Sequence, residues 1–268
     1  MGSAYQYAVL NASDTEPNIL ILAGVFCECN EMPRVDAQRI ARRSQYVFGI
    51  SEKREDAETL SRALAGQGIA SVIVPAGYIT VLGEPLAVNN ADCLPDRFEI
   101  QSGSGHALPI DWPEVAMISY GHVRHEAPLR PPAPIPIPDV NIRRITRTTL
   151  PQRPQKRGEV KLLDCLDIFI GSLAEFSARF RVISGSFCYD YLGHETQMTS
   201  TANFKRFVGD LVTYATRAAV TDRTRRFMLG DRRIIDGFEA FDNYHMWSVA
   251  MARTRIEAEK GKLHEPGG

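Results

Sequence analysis

No apolar run in this chain of 268 residues approaches the roughly twenty that a membrane-spanning helix needs; the longest, 18–26 and 165–170, stop well short. Met1-Gly2-Ser3-Ala4-Tyr5 carries no positive charge ahead of an apolar core, so no secretory leader is read there, and Gln6 stands where a myristoylation signal requires Ser or Thr. The chain also lacks a Gly-x4-Gly-Lys-Ser/Thr phosphate loop, a Gly-x-Ser-x-Gly elbow, a His-Glu-x-x-His pair and an EF-hand loop. These absences exclude well-marked enzyme classes, though an enzyme with dispersed residues leaves no such trace. Cysteine is sparse and odd in number. Cys27, Cys29, Cys93, Cys165 and Cys188 sit mostly among apolar neighbours, which suits reduced thiols better than a disulfide framework. The expected setting is therefore cytoplasmic, with no membrane partner and no cofactor.

With 44% hydrophobic and 24% charged residues the chain has the composition of a folded protein. Net charge is only −1 but unevenly placed. Residues 1–125 hold nine Lys/Arg against fifteen Asp/Glu, residues 126–158 seven against two, and residues 159–268 fifteen of each. Half of the sixteen prolines fall between Pro128 and Pro154, and 140–158 adds six Lys/Arg with no acid. Each proline locks its own φ and biases the preceding residue away from the helical region, so an extended rod is expected there. Read as a spacer, it divides the chain into an acidic α+β domain (1–125), a proline-rich basic linker (126–158), a C-terminal α+β domain (159–256) and a polar tail (257–268).

In the N-terminal half, the apolar runs 5–10 and 19–26 read as strands separated by Asn11-Ala12-Ser13-Asp14. Residues 34–43 read as a helix. The run 46–50, a helix opening at Ser51 and closing at Gly66-Gln67-Gly68, and the run 69–74 read as a βαβ unit with adjacent parallel strands. Glu58 and Arg62 are placed for an i,i+4 pair. The two glycines close a helix rather than open one, so they are read as a C-cap and not as a dinucleotide loop. A β-hairpin is expected from Arg97, turning at Ser102-Gly103-Ser104-Gly105, then one helical turn at 111–114 and a strand at 115–120. Trp112 is expected to be a core plug.

In the C-terminal half, 161–170 and 179–191 read as strands and 201–219 as a helix. In that helix Phe204, Phe207, Val208, Leu211, Val212 and Ala215 recur on one face behind a Thr199 or Ser200 cap. A hairpin is expected over 227–235, turning at Gly230-Asp231, then a last helix capped by Asp236 and carrying Phe238, Phe241, His245 and Val249 on one side.

Three groups of residues carry candidate chemistry. Cys27 and Cys29 with His122 and His125 offer four zinc ligands, but at a spacing unlike the usual C-x2–4-C knuckle. Asp190, His194 and Glu195 offer an acid, a base and a ligand without a placed nucleophile, so a polar turn explains them as well. Eight Lys/Arg against three Asp lie between Lys205 and Arg233, with Phe204, Phe207, Tyr214 and Phe227 interleaved. That composition can bind nucleic acid by phosphate contact and stacking. No catalytic, cofactor or metal residues are assigned, and no motif ties the chain to a characterised family. The expectation is a non-catalytic protein-interaction or regulatory module whose partner is another protein. Two alternatives stand beside it: polyanion binding through the linker and the 205–233 face (Arg223, Arg225, Arg226, Arg232, Arg233), and an enzyme built around Asp190–Glu195.

Overall fold

In the computed structural model, which describes residues 6–80, 82–101, 107–126 and 160–263, strand β1 (Tyr7–Asn11) sends Ala8 and Leu10 into one apolar cluster and Val9 into another. Successive strand side chains point to opposite faces, so this one strand serves two cores. It is the middle of a three-stranded sheet, flanked on both sides by antiparallel neighbours, β2 (Val47–Ser51) and β3 (Ser71–Pro75). Helices α1 (Ile19–Asn30), α2 (Arg34–Arg43) and α3 (Arg54–Gly66) cover the Val9 face, burying Leu22, Phe26, Ala37, Ala41, Ala57 and Leu64.

Two expectations for this region are corrected. Residues 19–26 form a helix, not a strand: the Asn18 side chain accepts from the N–H groups of Leu20 and Ile21, and the helix runs on to Asn30 before Glu31 turns left-handed at φ 50°. A short apolar run fits either period, and here the cap decided it. The β2–α3–β3 unit does have parallel strands, but they are not adjacent, because β1 lies between them. Gly68 closes α3 at φ +74°, as read from the sequence. Glu58 pairs with Arg54 at 2.8 Å; Arg62 reaches the Glu58 carbonyl instead of its carboxylate.

Next come β4 (Leu86–Val88) and the antiparallel meander β5 (Ala91–Cys93), β6 (Arg97–Gln101) and β7 (Ala107–Asp111), which contains the expected hairpin; its 102–105 turn lies outside the described residues. One 3-10 turn, Trp112–Glu114, leads into β8 (Val115–Glu126). Trp112 is buried, donates from Nε1 to the Leu94 carbonyl at 2.9 Å and stacks on Tyr214. Strand β8 pairs antiparallel with β9 (Val160–Gly171), and β9 with β10 (Phe176–Ile183). These three are the centre of a six-stranded sheet completed by β4, β11 (Ala219–Val220) and β12 (Ile234–Ile235).

The pairing of β8 with β9 bears on the expected domain boundaries. Their register runs from Val115↔Ile170 to Glu126↔Val160, and β4 pairs with β10 and both β11 and β12 with β8, so four strand pairings of the sheet cross the expected 126–158 boundary. One core mixes Phe98 and Trp112 with Phe204, Phe207 and Phe227. The proline-rich stretch joins neighbouring strand ends; the expected extended rod, residues 129–138, lies outside the described residues.

Helix α4 (Ser200–Tyr214) is capped by Thr199 and ends five residues before the expected point. Instead of a hairpin at 227–235 the chain forms α5 (Asp222–Met228), closed by Gly230 at φ +96°, and then β12 lies parallel to His122 and Val123 of β8. Helix α6 (Phe238–Leu263) extends well into the segment expected to be a polar tail. It lies between the β2-β1-β3 sheet and the six-stranded sheet, packing Phe241, Tyr244 and Trp247 against Ala8, Leu10 and Val74 on one side and Val123 and Cys165 on the other. The architecture is mixed α+β, and no helix among the described residues is long and apolar enough to cross a membrane.

Candidate functional site

Period-two alternation in β9 sends Leu166, Ile168 and Ile170 to the α4 core and leaves Asp167 facing α6. There Asp167 is fully buried and accepts four charged hydrogen bonds: from Arg179 Nε (2.9 Å) and Nη2 (2.5 Å), and from Arg181 Nε (2.7 Å) and Nη2 (2.7 Å). Asp242 of α6 accepts from the same Arg179 Nη2, Arg179 Nη1 donates to the Gly83 carbonyl at 3.4 Å, and Arg181 lies over the Phe238 ring at 4.4 Å. His245 packs edge-on to Phe169 and 3.3 Å from Arg179 Nη2. Burial, followed by the two guanidinium groups, holds the His245 pKa well below the usual imidazole range. Neutral His245 accepts at Nδ1, so its proton sits on Nε2, which is buried without a partner.

Asp167, Asp242 and His245 place ligand atoms within 4.8 Å of one another, the geometry of a metal site. The donor set does not fit one. The two arginines already occupy the Asp167 oxygens and balance both carboxylates, so a cation would have to expel a buried guanidinium. The cluster ties β9, β10 and α6 together as a closed ion network.

The residues singled out in the sequence are scattered. Cys27 and Cys29 lie on α1, not on a strand, whereas His122 and His125 lie on β8; His122 Nδ1 bonds Asp164 at 2.8 Å and His125 packs on Phe238. The structure does not bring the four together among the described residues. Asp190, His194 and Glu195 sit on an exposed 3-10 turn, with Glu195 3.1 Å from Arg206.

Each of the five arginines of the 205–233 face has a carboxylate partner. Arg223 is buried against Glu16 and the Tyr46 hydroxyl. Arg225 pairs with Asp222 (3.0 Å), Arg226 with Asp14 (2.9 Å), Arg232 with Asp164 (3.7 Å) and Arg233 with Asp231 (3.3 Å). Phe204, Phe207 and Phe227 are core residues, which removes the stacking surface.

A different basic concentration is completed only in the fold. A cavity of about 470 Å³ opens where α2 meets β8 and the start of α6. Arg39, Arg42 and Arg43 line it from α2, Arg124 and His125 from β8, and Asp236, Gly237, Phe238 and Glu239 from the entry to α6. Four arginines face two carboxylates across this space. Arg43 pairs with Glu239, Arg124 with Asp236 at 2.7 Å, and Arg39 with Asp36 outside the cavity at 3.3 Å. All three arginines are about half exposed or more, so these pairs exchange readily. Arg42 makes no ion pair among the described residues and is exposed. The 39, 42, 43 spacing puts three guanidiniums on one helix face, a signal present in the sequence. Arg124 and the α6 start join them only through tertiary packing.

No protein-family model, no curated protein and no solved structure matches this chain.

Proposed function

We propose that the protein is a non-catalytic module that binds the phosphate backbone of a nucleic acid, through the arginine-lined cavity and the basic segment that leaves the sheet beside it. The observation that carries this reading is the convergence of Arg39, Arg42, Arg43 and Arg124 on one concave space, at the end of the strand that leads into 127–159. Guanidinium groups match phosphate oxygens two at a time, and several together release enough counterions to make binding strongly salt-dependent. In sequence, the six Lys/Arg of 140–158 lie between Glu126 and Val160, the paired ends of β8 and β9. The arginines from Arg223 to Arg233 are a weaker choice, because Arg223 is buried against Glu16 and Tyr46 and the five do not converge on one cavity. A general protein-interaction role has no comparable concentration of one chemistry behind it.

The test is fluorescence anisotropy of the full chain with a labelled single-stranded RNA and a DNA duplex, across a salt series. Binding should weaken steeply with salt, and the Arg39→Ser/Arg42→Ser/Arg124→Ser variant should lower the slope of log K against log salt by about two to three. Arg225→Ser/Arg233→Ser should leave it nearly unchanged. Absence of binding at low ionic strength, or binding to phosphatidylserine vesicles alone, overturns the proposal.

A further inference from the structure

We infer that the α2/β8/α6 cavity receives a terminal phosphate monoester, so that the module reads the end of a nucleic-acid strand; this rests on the nucleic-acid reading above. The site is a concavity and not a stripe. Its volume of about 470 Å³ suits one nucleotide-sized group. A flat basic surface serves internal phosphodiesters, whose two ester oxygens carry the chain past on both sides. A pocket walled by α2 on one side and β8 on the other admits a group that enters end-on.

Charge points the same way. A phosphodiester carries one negative charge, whereas a phosphate monoester carries about 1.5 to 2 at neutral pH and presents three free oxygens. Two of the four arginines, Arg43 and Arg124, are paired with Glu239 and Asp236, carboxylates that line the same cavity. A ligand must compete with those partners, and a dianion does so better than a monoanion. Arg42, exposed and without an ion pair among the described residues, is the guanidinium most ready for the incoming group.

The experiment measures binding of one oligonucleotide sequence with 5′-phosphate, 3′-phosphate or hydroxyl ends, and of a mononucleotide 5′-phosphate as competitor. A terminal phosphate at one end should tighten binding about tenfold, the size of one charge-assisted hydrogen-bonded contact. Arg42→Gln and Arg124→Gln should each abolish most of that gain, weakening phosphate-ended strands clearly more than hydroxyl-ended ones. Because Arg42 is exposed, Arg42→Gln should keep the wild-type Tm, so a loss of the gain in that variant is not a folding effect. Equal, salt-dependent binding of all ends overturns the end-recognition inference and leaves the nucleic-acid reading standing. Binding of the mononucleotide without any oligonucleotide binding overturns the nucleic-acid reading and keeps a phosphate monoester as the cavity's ligand.

Discussion

Glu126 stands directly opposite Val160 at the open end of the β8/β9 pair. Neighbouring strands lie about 4.8 Å apart, so the 127–159 segment leaves and re-enters the sheet at almost one point. Closing a loop of that length carries an entropic penalty that grows with the logarithm of its length.

Replacing 127–159 by a four-residue Gly-containing turn should therefore stabilise the fold by about 1–2 kcal/mol, read as a higher urea midpoint at unchanged m-value. The shortened chain keeps the cavity arginines, so the preference for a terminal phosphate should persist while overall affinity falls. A lower midpoint would mean that the removed segment contributes contacts to the folded state.

Asn243 ties α6 to the start of β2. Its Oδ1 accepts from the backbone N–H groups of Tyr46 (2.9 Å) and Val47 (3.0 Å), and its Nδ2 donates to the Val47 carbonyl at 3.3 Å, all of them buried. Asn243→Ala strands three backbone groups away from water and should destabilise the protein by about 2–4 kcal/mol. Denaturant unfolding checks it; a loss below about 1 kcal/mol would show that water replaces the amide.

His245 predicts a pH dependence with a definite sign. Its pKa is depressed in the folded state by burial and by Arg179 and Arg181, with Asp167 and Asp242 on the facing side. In the unfolded chain it titrates near the model-peptide value of about 6.5. Below that pH the unfolded state takes up a proton that the native state refuses, so stability falls as pH drops, by about 1.4 kcal/mol per pH unit until the folded pKa is reached. In His245→Asn the extra slope between pH 6.5 and 5 should disappear when unfolding free energies are compared pH by pH. Parallel curves for the two proteins would show that another group governs this range.

Much of the local structure was legible in the sequence. The Arg34–Arg43 helix, the Gly68 closure, the β6/β7 hairpin, the Trp112 plug and the apolar face of α4 follow from periodicity, turn residues and caps acting within a few residues. Where local signals were ambiguous the reading failed. Residues 19–26 are apolar at both periods, and Gly230-Asp231 suits a helix end as well as a hairpin turn.

The candidate site was less legible, because its parts are distant in the chain. Arg39, Arg42 and Arg43 share a face by helical spacing alone, but Arg124 and the α6 entry reach them only across a seam closed by the Arg43–Glu239 pair. By itself the sequence determined the helices and strands with strong periodicity, the charge asymmetry and the proline segment, since those depend on residues close in the chain. Only the tertiary structure decided that β8 and β9 are neighbours, that Asp167 and His245 meet inside, and that four arginines surround one cavity. The reason is physical: strand partners and buried charges are chosen by which distant surfaces exclude water together, and no local pattern encodes that choice.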